Sequence, residues 1–168
     1  KRALAQAVSK GRETPMPSDD PAAKEAPFNE RFGVFVTLHD ASGDLRGCIG
    51  NILPVATLAE GLWGRAQDAA LNDPRFDPVT PAELSSLSIE ISVLSRPVPV
   101  ASPNDIEIGK HGILLKKRGR SAVFLPQVAP EQGWNLETTL NHLALKAGLA
   151  PGAWREGASF EVFEAEVF

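Results

Sequence analysis

Gly33-Val34-Phe35-Val36-Thr37-Leu38-His39-Asp40-Ala41-Ser42-Gly43-Asp44-Leu45-Arg46-Gly47-Cys48-Ile49-Gly50 reads as two extended segments joined by a turn. The first, starting at Phe32, is rich in β-formers and sets Phe32, Val34, Val36 and Leu38 on one face. Asp40-Ala41-Ser42-Gly43-Asp44 is turn chemistry, so the chain returns beside itself as a β-hairpin. In the returning strand, alternation sets Arg46 and Cys48 on one face and Leu45, Gly47 and Ile49 on the other. A hairpin, in place of a strand–helix–strand crossover, points to an antiparallel sheet.

Outward from this hairpin, strands and isolated helices follow without a strand–helix repeat. Ala3 to Val8 reads as the end of a helix stopped by Gly11. Residues 11–27, with four prolines, read as a mobile connection or a loop flanking a site. Thr57 caps a helix to about Leu71, where Gly61 and Gly64 suggest close packing on another backbone. Thr80-Pro81-Ala82-Glu83 has the form of a capping box and predicts a short helix. Ser88 to Ser95 alternates as a strand, and Ile113–Lys117 with Ala122–Leu125 reads as a second hairpin around Arg118-Gly119-Arg120. Asn135 caps a helix with Leu136, Leu140, Leu143 and Ala147 on one side and Gly148 at its end, and Phe160 to Phe168 reads as a final strand. The expected class is α+β, with a largely antiparallel sheet, flanking helices, and a larger and a smaller lobe in one compact unit. Residues 1–31 form the helix end and connection, and 32–168 the main domain.

A chain of 168 residues with 43% hydrophobic and 23% charged residues is ordinary for a globular protein. A net charge of -4 argues against general binding to nucleic acid, which needs many Lys/Arg–phosphate contacts. No run has the length of a membrane span, and Lys1 to Lys10 lack the apolar block of a signal peptide. One cysteine makes no internal disulfide, so the expected compartment is the cytoplasm. His39, His111 and His142 show no metal spacing, and neither a P-loop, a Gly-x-Ser-x-Gly elbow nor a dinucleotide fingerprint is present, so no metal and no cofactor are expected.

Cys48 is the centre of the candidate site. A guanidinium beside a thiol favours the thiolate, the attacking form, and Gly47 and Gly50 remove side chains where a backbone or ligand could approach. The plainer reading makes Cys48 a small buried residue without chemistry. His111, between Gly109 and Gly112, is the candidate base, against an exposed loop histidine. Glu90 is a candidate acid/base, or simply an ion-pair partner for Arg46, and Ser92 shares its strand face. Arg75, in Asp73-Pro74-Arg75-Phe76, either pairs locally or joins Arg46 in gripping a small anion. Lys116, Lys117, Arg118 and Arg120 form a basic hairpin tip, ordinarily a solvated turn.

Several stretches together resemble the AMMECR domain family. They are Gly33–Leu38, Leu45-Arg46-Gly47-Cys48-Ile49-Gly50, Asp73-Pro74-Arg75-Phe76, Ile89–Leu94, Gly109-Lys110-His111-Gly112, Phe124-Leu125-Pro126-Gln127-Val128 and Lys146-Ala147-Gly148-Leu149, in the family's order. The resemblance implies a two-lobed α+β fold and no established activity. It also implies radical-SAM and Memo-type, dioxygenase-like proteins as partners, hence a modification pathway. Two readings follow: an enzyme with Cys48 as nucleophile, and a non-catalytic module that presents an anionic ligand or recruits a partner.

Overall fold

The computed structural model describes residues 1–168, with every side chain except that of Ala22. Its elements run α1 (Arg2–Lys10), β1 (Gly33–His39), β2 (Leu45–Asn51), α2 (Leu58–Leu71), β3 (Ser88–Leu94), β4 (Val98–Val100), β5 (Gly112–Lys117), β6 (Arg120–Phe124), α3 (Val128–Glu131), α4 (Leu136–Lys146), β7 (Ser159–Phe163) and β8 (Ala165–Val167). The strands form two four-stranded antiparallel sheets, ordered β2-β1-β3-β8 and β4-β7-β5-β6. The α+β class read from the hairpins is the class observed. The chain divides into two compact units, Lys1–Leu94 with Glu166–Phe168, and Ser95–Ala165. Among the described residues no helix is long and apolar enough to cross a membrane.

In the first unit β1 is central. Val34, Val36 and Leu38 point to one face and are essentially inaccessible to solvent. Burying aliphatic side chains of this size stabilises a fold by roughly 1.5–3 kcal/mol each. Val36 and Leu38 form the core with Ala66, Ala69 and Ala70 of α2 and Ala3, Leu4 and Val8 of α1. α2 starts where expected, with Thr57 accepting from the Glu60 N–H and Glu60 closing the capping box. Its two glycines differ: a Cβ on Gly61 would press on Val34, whereas one on Gly64 would meet nothing within 4 Å. Close packing therefore does not explain Gly64.

Residues 11–27 do not simply connect. Thr14 is buried, and its carbonyl accepts from Trp63 Nε1 at 2.8 Å and Gln67 Nε2 at 3.0 Å. A buried backbone carbonyl needs such partners, and α2 supplies them from one face. The Thr80 box also differs from its reading. The Glu83 carboxylate accepts from the Thr80 N–H and hydroxyl, but the Glu83 N–H donates to the Thr80 carbonyl, and the residues that follow form turns without a helix.

In the second unit α4 lays Leu140 and Leu143 on Ile113, Leu115, Phe160 and Val162 of the sheet. Asn135 caps it by accepting from the Thr138 N–H, and Gly148 ends it at φ 71°. Trp134 stacks on His142 of α4, with centroids 4.0 Å apart. The final strand is two strands. β7 belongs to the second sheet and β8 to the first, where Phe168 and Ile91 exchange backbone hydrogen bonds. Alternation of side chains continues through such a switch, so periodicity alone reads it as one strand.

Candidate functional site

The face of the first sheet turned away from Val34, Val36 and Leu38 carries the polar residues. Register pairs Thr37 of β1 with Cys48 of β2 and with Glu90 of β3. A thiol, a hydroxyl and a carboxylate therefore lie in one row across three strands. The Thr37 hydroxyl donates to Cys48 Sγ at 3.3 Å. Cys48 and Glu90 are both half-buried, and the Glu90 carboxylate has no hydrogen-bond or ion-pair partner among the described residues. The next row is Gly50, Phe35 and Ser92, and Ser92 is buried. Thr37 was not singled out in the sequence. Its signal was a hydroxyl at the strand position that register sets opposite the cysteine.

β2 is an edge strand, and the outward peptide groups of an edge need partners. Residues 73–83 provide them. Asp73 accepts from the Cys48 N–H at 2.8 Å. Arg75 donates to both Asp73 oxygens, from Nε at 2.9 Å and Nη2 at 2.6 Å, and Nη2 also donates to the Cys48 carbonyl at 3.2 Å. One carboxylate and one guanidinium thus clamp both sides of the cysteine's backbone. The Asp73 side chain is only 2% exposed, whereas that of Arg75 is 53% exposed. The Arg75 hydrogen bonds hold the Asp73 carboxyl well below the usual carboxylate range, helped by the N–H groups of Cys48 and Arg75. Arg75 is correspondingly raised, first by Asp73, with the adjacent Cys48 side chain adding to the effect. Arg75 Nη1 has no hydrogen-bond partner among the described residues.

Arg46 departs from its expected place. The β1–β2 register shifts between Leu38, opposite Gly47, and His39, opposite Leu45, which leaves Arg46 as the extra residue of a bulge. A bulge redirects its side chain. Arg46 Nε donates to Glu83 at 2.7 Å and Nη1 to the Asp77 carbonyl at 3.0 Å. Glu83, not Glu90, is its ion-pair partner, and the Phe76 ring lies near both guanidinium groups, 6.0 Å from Arg46 and 5.4 Å from Arg75. Arg46 is a structural brace here, with Nε and Nη1 committed.

The Arg46 hydrogen bond, followed by the Thr80 N–H and hydroxyl, lowers the Glu83 carboxyl from 4.5 to about 2. A carboxylate depressed in the folded state contributes stability that is complete above its unfolded value and lost as pH falls through the folded one. Thermal stability is therefore expected to drop between pH 4.5 and about 2, measured as Tm against pH. Arg46→Met should shrink the part of that drop that belongs to Glu83.

Of the backbone and the ligand expected beside the glycines, the structure places a backbone at Gly47 and an aromatic ring at Gly50. A Cβ on Gly47 would sit 2.1 Å from the Ala69 carbonyl oxygen of α2, and one on Gly50 would sit 2.2 Å from the Phe35 ring. The space beside each is filled by the protein itself, so neither is open to a ligand. His111 belongs to the second unit, where its Nδ1 accepts from the Glu107 N–H at 3.0 Å within its own turn. The structure thus brings together Cys48, Arg75, Asp73 and the unlooked-for Thr37, with Glu90 and Ser92 on the same face.

The AMMECR1 family model matches residues 1–168. A Methanosarcina acetivorans protein is 42% identical over 163 residues, covering 94% of this chain and 81% of that protein. A Methanopyrus kandleri protein is 45% identical over 148 residues, covering 83% of this chain and 72% of that one. The crystal structure of an uncharacterized Pyrococcus horikoshii protein superposes with a TM-score of 0.85 at 36% identity, covering 99% of this chain and 85% of that chain. With the family match spanning residues 1–168 and these relatives at 36–45% identity, the chain belongs to the AMMECR1 family.

Proposed function

We propose that the first unit binds a small anionic, electrophilic ligand at Cys48, with Arg75 as the anion-gripping group and the Cys48 thiol as nucleophile or covalent anchor. The observation that carries this reading is the geometry of Arg75. Its Nε and Nη2 are fixed by Asp73 and by the Cys48 carbonyl, so the side chain is oriented, while Nη1 keeps its two donors free. A preoriented guanidinium recognises carboxylate or phosphate oxygens at little conformational cost. The Thr37 hydroxyl supports the thiolate by donating to it, and Glu90, beyond Thr37 in the same row, is the proton carrier on this reading. On this reading the chain acts on, or presents, one anionic substrate within the kind of modification pathway that the family resemblance implies.

The test is alkylation of the native protein by iodoacetamide, followed by mass spectrometry at Cys48. The thiol is expected to react much faster than the protein unfolds. Thr37→Val, which removes one hydrogen bond to the thiolate, is expected to slow the reaction by roughly five- to tenfold. Modification at the rate of global unfolding would place Cys48 in the core and remove the reading.

A further inference from the structure

The second unit carries a separate concentration of positive charge. Lys116, Lys117, Arg118, Gly119, Arg120, Ser121, Gly157 and Ser159 line a concave surface of about 430 Å³. Four cations and no acid are in that lining. Lys117 donates to the carbonyls of Ala153 and Glu156, and Arg120 to the carbonyl of Gly148. These acceptors hold the two side chains in place but are neutral, so both charges stay uncompensated. Only Lys116 has a carboxylate, Glu161 at 2.6 Å. Across the sheet Lys116 lies between Ser121 of β6 and Ser159 of β7, which sets hydroxyl, ammonium and hydroxyl in one row.

The turn adds an independent sign. Arg118 and Gly119 both have positive φ, 47° and 75°, and Arg118 is the one residue other than glycine in that region among the described residues. A two-residue turn of this hand suits Asn, Asp or Gly at its first position. A residue held there against its backbone preference points to a use for its side chain. Arg118 makes no hydrogen bond or ion pair among the described residues, so its fork is free at the lip of the concavity.

We propose that this concavity binds a phosphorylated small molecule through its phosphoryl oxygens, with Arg118 and Lys116 as the direct contacts and Lys117 and Arg120 as fixed background charge. The Ser121 hydroxyl and the Gly119 and Gly157 N–H groups supply the neutral donors that such oxyanions accept from, whereas the Ser159 hydroxyl donates to the Lys116 carbonyl.

The probe is inorganic tripolyphosphate, followed by amide chemical shifts and by calorimetry at physiological ionic strength. Saturable binding is expected, with shifts confined to residues 116–121 and 157–159. Arg118→Asn should weaken it about tenfold or more, as loss of a charge-assisted contact does, while leaving Tm unchanged or raised because the turn is relaxed. Glu161→Gln should tighten binding by freeing Lys116. Absence of saturable binding, shifts elsewhere, or equal affinity in Arg118→Asn would overturn the proposal. An oligoribonucleotide that binds there without being displaced by tripolyphosphate would overturn it in favour of a nucleic-acid surface.

Discussion

Gly47→Ala is expected to destabilise the protein by about 3 kcal/mol or more, at the upper end of what overpacking costs. The added methyl would sit 2.1 Å from the Ala69 carbonyl oxygen and 3.1 Å from its carbon. Neither atom belongs to a flexible side chain. The oxygen is part of the α2 backbone, so relief requires moving the helix or the strand. Both are held by the same core, Val36 and Leu38 against Ala66, Ala69 and Ala70. Chemical denaturation measures the loss. Gly64→Ala in the same helix is the internal contrast. Its Cβ meets nothing within 4 Å, so the substitution removes only a helix-unfriendly residue and should stabilise by about 0.5–1 kcal/mol. Stability within about 1 kcal/mol of the parent for Gly47→Ala would mean that α2 does not cross β2 at this point.

Asp73→Ala carries the second large effect, about 2–3 kcal/mol of lost stability together with altered behaviour of Cys48. The carboxylate is buried and has three donors: the Cys48 N–H, the Arg75 N–H and the Arg75 guanidinium. Removing it leaves the Cys48 N–H at the sheet edge without its partner and frees a half-exposed guanidinium to leave the Cys48 carbonyl. Arg75 can then reach water, so the cost falls below that of a fully buried pair broken on one side. Urea denaturation gives the stability, and iodoacetamide labelling the effect on the thiol. Asp73→Asn, which keeps the shape and one acceptor, should lose less stability than Asp73→Ala. Equal, small losses in both would show that the clamp contributes nothing to β2.

What the sequence conveys best here is local and periodic. The β1–β2 hairpin, the Thr57 and Asn135 caps and the alternation along β3 follow from short-range chemistry, and the structure shows each of them. Contacts between distant segments were not legible. Arg46 was expected to face Glu90, but a one-residue bulge redirects it to Glu83, 37 positions away, whose own turn is fixed by Thr80. Gly47 read as room for a backbone or a ligand, and the sequence left the two open because alternation tells which face a residue takes but not what lies on that face; the α2 backbone at Ala69 lies there. Asp73 and Arg75 read as pairing with neighbours or capping the turn; the structure pairs them with each other, and their second role, holding the Cys48 peptide, depends on β2 being the edge of its sheet. Thr14 gave no signal within a proline-rich stretch, since its burial comes from Trp63 and Gln67 on a helix much later in the chain.

The most direct measurement is the ratio of Cys48 alkylation rates with anionic iodoacetate and neutral iodoacetamide, each relative to free cysteine under the same conditions. A guanidinium with free donors beside the thiol gathers the anion, so the ratio is expected to exceed that of free cysteine. Arg75→Ala should return it to the free-cysteine value, whereas Arg46→Met, whose charge is committed to Glu83, should leave it high. A ratio equal to that of free cysteine in the parent protein and unchanged in Arg75→Ala would contradict an anion site at Cys48.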